Sequence, residues 1–482
     1  MSDFLIQART LLGDAYVLTH DLATFSTDWR GKFTGAPLAV LLPADTAQVS
    51  SAVTLCATHG VAIVPQGGNT GLCGGATPDD SGKQVVINLG RLNRVRAIDP
   101  LNNTVTVEAG CILQSLQELA AAHDRLFPLS LGAEGSCQIG GNVATNAGGG
   151  QVLRYGNTRD LVLGLEVVLP DGQVLNLLRA LRKDNTGYDL KHLFIGCEGT
   201  LGLITAAVLK LFPAPHSSAV AFAAFQTPQQ ALQLLGFMRA ALGDRFTAFE
   251  LMNDASMALV RRHFPATPTL FDAPHPWAVL IEVTDPSAGE GAQSALDAVF
   301  QVALEHGLDA GVIDDVVFAT SVAQAEQLWA FRENISEAQQ HDGQNIKHDI
   351  AVPVSRVPAF IDEVLPLLQK AHAGVRPIVY GHLGDGNLHF NVSRPVGWST
   401  LDWQQESGRV NTLVLDVVAR YAGSFSAEHG LGQLKAHEMA LYKTPLEIDI
   451  MRRLKTALDP KGLMNPGKLL PAAPIDRIRN SL

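Results

Sequence analysis

Two histidines stand on either side of a short glycine-rich turn late in the chain. His382 and His389 flank a Gly-Asp-Gly sequence within YGHLGDGNLHFN. A hairpin over that turn would bring the two imidazoles together, and paired imidazoles are common ligands of a divalent metal. An acidic residue and a third histidine, Glu428 and His429, follow in SAEHG. A His–His–Glu set predicts a zinc-type site with one open position, although only folding can bring the distant third ligand in.

A second group of polar residues could hold a carboxylate. Arg332 and Ser336 are four residues apart in LWAFRENISEA, so on one helix they would share a face. Lys347 follows on a predicted strand in NIKHDIAVPV. An arginine suits bidentate binding of a carboxylate. From the residue types alone, however, Arg332 and Lys347 are more typical of a solvated surface.

Three glycine clusters occupy the first half of the chain, at 65–75, 132–149 and 194–205. Where no Cβ stands in the way, consecutive backbone N–H groups can approach an anion closely. The first cluster, PQGGNTGLCGG, follows a predicted strand and has neither the P-loop nor the Rossmann spacing. Each cluster taken singly could be ordinary loop or core packing. Three of them in one domain predict a cofactor that carries phosphate.

The elements around these motifs are mixed. A helix is predicted from Thr46 to His59, with Asp45 as its N-cap and Gly60 as its stop. Strands are predicted at 61–65, 84–89 and within 95–108, a further helix at 110–123, and a hairpin over 163–177. The glycine clusters end near residue 214, and long helical patterns then alternate with strands such as 277–283. The predicted domains are 1–214, 215–431 and a short helical region at 432–482.

Composition excludes several classes of protein. The 482 residues carry a net charge of −11, which argues against binding to nucleic acid. Five cysteines without a C-x-x-C pair predict free thiols in a reducing compartment. No apolar run is long enough to span a membrane. The first residues resemble neither a secretion signal nor a transit peptide, so the expected location is the cytoplasm.

The glycine clusters resemble those of the vanillyl-alcohol oxidase and p-cresol methylhydroxylase flavoprotein superfamily. The segments RYGNTRDLVLGLEVVLPDGQVL and RKDNTGYDLKHLFIGCEGTLG are similar to its D-lactate and D-2-hydroxyglutarate dehydrogenase branch. The resemblance implies an α+β fold: a two-subdomain FAD-binding domain, a substrate domain with an antiparallel sheet flanked by helices, and a helical C-terminal region. No histidine lies between Pro65 and Gly75 to attach a flavin, so noncovalent FAD is expected.

The resemblance covers nearly the whole chain and implies roles for the residues singled out. It implies a divalent metal, with Zn2+ as the expected ion, at His382, His389 and Glu428. It implies His429 as the general base that takes the 2-hydroxyl proton while the C2 hydride moves to flavin N5. The substrate contacts implied are Arg332, Ser336, Lys347 and Asn391. A C-terminal segment that contains Asn465 is implied to return to the flavin domain. The cofactor contacts expected in all are Pro65, Gly67, Gly68, Asn69, Thr70, Gly71, Gly135, Ser136, Gly140, Gly141, Asn142, Thr145, Asn146, Gly148, Glu198, Gly199, Ile204 and Asn465.

The substrate expected is a small D-2-hydroxy acid, with 2-hydroxyglutarate first. Arg332 and Lys347 beside a metal supply more positive charge than lactate would need, and buried unpaired charges are costly. D-lactate, D-malate and glycolate stay open as alternatives within this class. A zinc hydrolase with purely structural glycines and a flavoprotein without catalysis stay open outside it. An electron-transfer flavoprotein is the expected electron acceptor, and a homodimer is a further expectation.

Overall fold

A computed structural model gives the fold, and it describes residues 2–471. The chain divides into two compact units. The first comprises 1–149, 156–213 and 428–482, and the second comprises 150–155 and 214–427. The predicted domain bounds are 214 and 431, and the C-terminal region is predicted to return to the flavin domain. In the structure the second unit runs to Ala427, and the segment after it groups with the first unit. Residues 472–482 of that segment lie outside the described part of the chain.

The first unit contains two main sheets. One is mostly parallel, with the strand order Val17–Leu18, Ala39–Leu41, Gln84–Asn88 and Ala62–Gln66. The other is antiparallel, with the order Val95–Asp99, Thr104–Glu108, Leu203–Lys210, Val162–Val168 and Val174–Leu177. A small pair joins Arg125–Leu126 to Phe212–Pro213. The helices are Ser2–Leu12, Ala23–Ser26, Thr46–His59, Leu113–Ala121, Ile139–Thr145, Thr158–Leu161, Lys191–Phe194, Ala436–Tyr442 and Pro445–Leu458.

Local chemistry explains why the predicted elements of this unit form where they do. The helix Thr46–His59 begins at Asp45, whose carboxylate accepts the Gln48 N–H at 2.8 Å. It ends at Gly60, where a φ of 65° suits glycine. Both ends are as predicted. The helix predicted at 110–123 is shorter and runs from Leu113 to Ala121, because the backbone at Ile112 is extended and the Gly110 N–H is bonded to the Leu92 carbonyl of the preceding loop at 2.7 Å.

The second unit is built on one antiparallel sheet of eight strands. The order is Asp315–Phe318, Ser217–Phe225, Trp277–Asp285, Phe246–Asn253, Arg376–His382, Asn387–Ser393 and Asn345–Ile346, with Asp349–Ala351 also paired to Asn387–Ser393. The helices are Val152–Tyr155, Pro228–Leu242, Asp254–His263, Ala292–Asp309, Val322–Glu333, Ile335–Asp342, Val357–Ala371, Thr400–Gln405 and Ser407–Arg420. An antiparallel sheet flanked by helices confirms the predicted fold class. Within the described residues, no helix has the length and apolar character needed to cross a membrane.

One buried cluster fixes the helices that carry the predicted substrate contacts. Phe331 and Ile335 pack with Phe222 and Leu280 of the sheet. The neighbouring residues Arg332 and Ser336 are thereby held at the edge of this core. The prediction that they share one helix is wrong, because the helix is interrupted at Asn334, between Val322–Glu333 and Ile335–Asp342.

Candidate active site

The three glycine clusters of the first unit pack directly on one another. A Cβ at Gly68 would lie 2.1 Å from the Ser136 carbonyl oxygen, which joins the first cluster to the second. A Cβ at Gly199 would lie 2.7 Å from Pro65 Cγ, which joins the third cluster to the first. By contrast, Gly71 and Gly141 have open space where a Cβ would be. Glycine is therefore required where the clusters touch, and open space adjoins the backbone at Gly71 and Gly141.

Several predicted cofactor contacts of this unit have structural roles. Asn69, at a φ of 55°, donates its amide to the Thr24 and Thr27 carbonyls at 3.1 and 2.9 Å. Thr145 donates its hydroxyl to the Gly141 carbonyl at 3.0 Å, within its own helix. Asn146 accepts the Arg159 N–H at 2.9 Å. These side chains support the loops, so any contact with an anion there would come mainly from backbone N–H groups.

Glu198 fastens the third glycine cluster to the segment that follows His429. Its two carboxylate oxygens accept the N–H groups of Leu431 and Gly432, each at 2.7 Å. Burial raises the pKa of Glu198, and these two backbone hydrogen bonds oppose that shift. We call this pair of hydrogen bonds the Glu198 clasp. The cofactor contact expected at Glu198 stays a prediction.

The C-terminal segment returns to the glycine clusters, as the sequence led us to expect. The Asn465 N–H donates to the Ile63 carbonyl at 2.7 Å. The Asn465 side chain donates to the Gly75 and Glu198 carbonyls at 2.9 and 2.7 Å. This one residue thus contacts the first and third clusters together.

An FAD molecule fits the chemistry of this junction. Gln138 Oε1 and Asn465 Oδ1 are buried acceptors without a hydrogen-bond partner within residues 2–471. Buried acceptors are normally satisfied, and a flavin offers ring N–H and ribityl hydroxyl donors. The clusters would supply backbone N–H groups for the pyrophosphate. The remaining expected contacts, which include buried Ile204 and Asn142, lie in the same three segments.

In the second unit, the predicted hairpin brings His382 and His389 together. The strands Arg376–His382 and Asn387–Ser393 pair antiparallel, with Tyr380 opposite His389. The ring centroids of His382 and His389 are 5.8 Å apart, and those of Tyr380 and His389 are 4.9 Å apart. The predicted pairing of the two imidazoles is therefore confirmed.

A buried glutamate that the sequence did not single out lies behind this pair. Glu250 Oε1 is 2.6 Å from His382 Nδ1, and its Oε2 accepts Arg332 Nε–H at 2.7 Å. Its side chain is 1% exposed. Burial alone would raise the pKa of Glu250, but His382 and Arg332 outweigh it and lower the pKa to about 2. The sequence signal that could have identified Glu250 is a single glutamate within the apolar strand FTAFELMN.

The predicted substrate contacts Arg332 and Ser336 converge on Tyr380. Arg332 Cζ lies 4.8 Å from the Tyr380 ring centroid, and Ser336 Oγ is 3.1 Å from the Tyr380 hydroxyl. Lys347 is exposed and follows the strand Asn345–Ile346 rather than lying within it. The premise that Arg332 and Lys347 are buried without counter-charge is therefore wrong, because Glu250 neutralises the first and solvent reaches the second.

Asn391, the last predicted substrate contact, lies on the same strand as His389. Its Oδ1 accepts the His348 N–H at 3.1 Å, and its Nδ2 donates to Gln339 Oε1 at 3.0 Å. Gln339 is fully buried. An amide nitrogen has two N–H donors, so this pairing orients the Asn391 amide and occupies one of them.

An aspartate that the sequence did not single out stands beside His389. Asp349 is the register partner of His389 on the adjacent strand, and ligand atoms of the two lie within 4.8 Å of each other. Its Oδ1 accepts the Asn387 amide at 3.0 Å. The Ala427 N–H donates to the Asp349 carbonyl at 3.3 Å. Two imidazoles with adjacent carboxylates form a donor set that fits a divalent transition metal.

Glu428 and His429, the remaining predicted site residues, begin the last segment of the first unit. His429 Nε2 lies 3.5 Å from Glu428 Oε1, and both side chains are partly exposed. The Glu198 clasp holds the backbone two and three residues after His429. Both residues thus stand in an anchored stretch that directly follows Ala427 of the second unit.

Two family models match the chain. One is described as an FAD binding domain and matches residues 37–178. The other is described as the C-terminal domain of FAD linked oxidases and matches residues 214–469. The first covers two of the three glycine clusters, and the second covers the histidine hairpin.

Curated relatives match over most of the chain. A mitochondrial D-2-hydroxyglutarate dehydrogenase of Rattus norvegicus is 40% identical over 452 residues, which cover 94% of this chain and 81% of the relative. The Arabidopsis thaliana protein of the same name is 39% identical and covers 96% and 80%. A D-2-hydroxyglutarate dehydrogenase of Xanthomonas citri pv. viticola is 40% identical and covers 93% and 92%.

Solved structures share the fold. p-Cresol methylhydroxylase with substrate bound has a TM-score of 0.75 at 16% identity, and the match covers 97% of this chain and 96% of that one. An alkyldihydroxyacetonephosphate synthase has a TM-score of 0.71 at 18% identity and covers 97% and 84%. At this identity, the likeness concerns the fold alone.

Proposed function

The chain belongs to the family of FAD-linked oxidases that includes the D-2-hydroxyglutarate dehydrogenases, and from that premise we propose that it oxidises D-2-hydroxyglutarate to 2-oxoglutarate. Membership of this family removes the zinc hydrolase alternative. The observation that carries the substrate proposal is the position of Glu250, whose two carboxylate oxygens contact His382, a proposed metal ligand, and Arg332. The Arg332 guanidinium has five N–H donors, of which the Nε–H goes to Glu250, so it would bind a second carboxylate by hydrogen bonds rather than as an unpaired charge. A substrate with a carboxylate at each end suits this guanidinium and the proposed metal better than lactate does.

We propose that His382, His389 and Glu428 hold a divalent metal. The paired imidazoles support this set. The position of Glu428 in the chain supports it as well, because the preceding residue, Ala427, is hydrogen-bonded to Asp349 on the strand beside His389. Consecutive Cα atoms lie only about 3.8 Å apart. When bound, FAD supplies the acceptor for the C2 hydride, and the divalent ion supplies a Lewis acid for the 2-hydroxyl.

His429 is the proposed general base. An imidazole near neutral pH can accept the proton of the 2-hydroxyl. The Glu198 clasp holds the backbone at the second and third residues after His429. Arg332 and Ser336 would receive the distal carboxylate, and Asn391 would hold the substrate through its remaining amide N–H.

The substrate proposal is tested by comparing two hydroxy acids. D-2-hydroxyglutarate is expected to have a kcat/KM at least about tenfold above that of D-lactate, or roughly 1.4 kcal/mol of transition-state stabilisation. Arg332→Ala should penalise the diacid more than lactate, because lactate has no second carboxylate. Arg262→Ala, at an exposed arginine of the same unit, is the matched control and should affect neither. Equal penalties on both substrates would show that Arg332 binds only the shared carboxylate.

The flavin is expected to be noncovalent. No histidine lies in the first glycine cluster, and the five cysteines are buried. Precipitation of the protein with acid should therefore release all of the flavin absorbance into the supernatant. Flavin retained in a washed pellet would show a covalent link.

A further inference from the structure

Glu250 occupies a central place in the sheet of the second unit. It lies on the strand Phe246–Asn253, directly opposite His382 on one neighbouring strand and Leu280 on the other. Its side chain is almost completely buried, yet both carboxylate oxygens have partners. We infer that Glu250 is a positioning residue that sets the metal-binding tautomer of His382 and fixes the guanidinium of Arg332, so that one carboxylate links the metal site to the distal substrate site. This inference rests on the proposed function.

The hydrogen-bonding chemistry determines how His382 is presented. An arginine remains protonated in proteins, and an ionised carboxylate only accepts hydrogen bonds. Next to Glu250, therefore, His382 Nδ1 must carry the proton and donate it. The lone pair of the neutral imidazole is then on Nε2, which is the nitrogen that would coordinate a metal. A carboxylate behind a ligating histidine fixes the ring and increases its basicity.

The second oxygen of the same carboxylate extends this control to Arg332. The guanidinium is held between Glu250 Oε2 at 2.7 Å and the face of the Tyr380 ring. Tyr380 in turn lies against His389. A change at Glu250 should consequently disturb metal binding and diacid binding together, whereas an independent surface residue would alter neither.

Glutamine is an informative replacement because it keeps the shape but not the two acceptors. Its amide offers one oxygen and one NH2 group. If the oxygen faces His382, the NH2 group lies against the Arg332 Nε–H, and two donors oppose each other in a buried site. In the reverse orientation the NH2 group donates to His382 Nδ1, which moves the imidazole proton to Nε2 and removes the lone pair that would bind a metal.

The test uses the full chain with FAD bound and the metal removed, titrated with Co2+ as the probe. The Co2+ absorption bands report the ligand set, and their growth gives the dissociation constant. Glu250→Gln should weaken Co2+ binding by about ten- to a hundredfold, the usual effect of losing a partner behind a metal ligand. It should also raise KM for D-2-hydroxyglutarate more than KM for D-lactate.

Glu282→Gln is the matched control. Glu282 lies on the adjacent strand Trp277–Asp285, and its carboxylate accepts the Trp329 indole N–H at 3.3 Å. Burial raises its pKa to about 7, so an amide resembles its protonated form. This variant should bind Co2+ as the unmodified protein does. If the Glu250→Gln protein loses FAD or does not fold, Glu250→Asp is titrated instead. Its Co2+ affinity should be weakened but measurable.

Two results would contradict this inference, and each rejects a different part of it. Co2+ binding by a folded Glu250→Gln or Glu250→Asp variant at the unmodified affinity would overturn the role of Glu250. If His389→Ala bound Co2+ as tightly as the unmodified protein, the proposed metal site itself would fail, and the role of Glu250 with it.

Discussion

Removal of the proposed divalent metal is expected to abolish turnover while the flavin stays in place. Two of the proposed metal ligands, His382 and His389, belong to the second unit, and the third, Glu428, lies outside the three glycine clusters of the first unit. Treatment with EDTA should therefore eliminate substrate oxidation without changing the flavin absorbance that elutes with the protein. Re-addition of Zn2+, Mn2+ or Co2+ should restore activity.

Single substitutions should reproduce the effect of chelation. His382→Ala and His389→Ala each remove one imidazole of the proposed set, and each should reduce turnover to the level of the metal-free protein. His341→Ala is the control, because this histidine of the same unit is exposed. Full activity of a preparation whose metal content is shown to be zero would contradict the account.

Replacement of His429 by asparagine is expected to lower kcat by about a hundredfold or more, which is within the usual range for a general base. The metal content should be unchanged, because the proposed ligand is the neighbouring Glu428. The flavin content should also hold, since the Glu198 clasp engages backbone groups that the substitution leaves intact. Measurement of kcat, metal content and substrate affinity on the same preparation separates these effects.

The control for His429 is His437→Asn. His437 is exposed on the helix Ala436–Tyr442 of the same unit, so its replacement should leave kcat unchanged. If the His429→Asn protein instead loses the metal and binds substrate more weakly, His429 is the metal ligand and Glu428 is the general base.

Features set by neighbouring residues could be predicted from the sequence. The helix Thr46–His59 depends on Asp45 and Gly60, which adjoin it, and the hairpin of His382 and His389 depends on one short turn. The three glycine clusters indicated a cofactor because glycine has little other use at such density. These features require no knowledge of which distant segments meet.

Features that depend on distant segments could not be predicted. Glu250 stands 132 positions before His382, and only the strand order places the two side by side. Asp349 reaches His389 through a pairing of the same kind. The clasp between Glu198 and Leu431 spans 233 positions. The interruption of the helix at Asn334 was missed because both flanking segments have helical patterns. The core contacts of Phe331 and Ile335 determine where each helix lies.

The most direct measurement is an anaerobic titration of the purified protein with single hydroxy acids, followed by the flavin absorbance. D-2-hydroxyglutarate is expected to bleach the oxidised flavin fully and at the lowest concentration, with D-malate close to it or between it and D-lactate. L-2-hydroxyglutarate should leave the flavin largely oxidised. If D-lactate bleaches the flavin as readily as D-2-hydroxyglutarate, the diacid assignment is wrong; if none of these acids does, the proposed dehydrogenase activity is wrong as well.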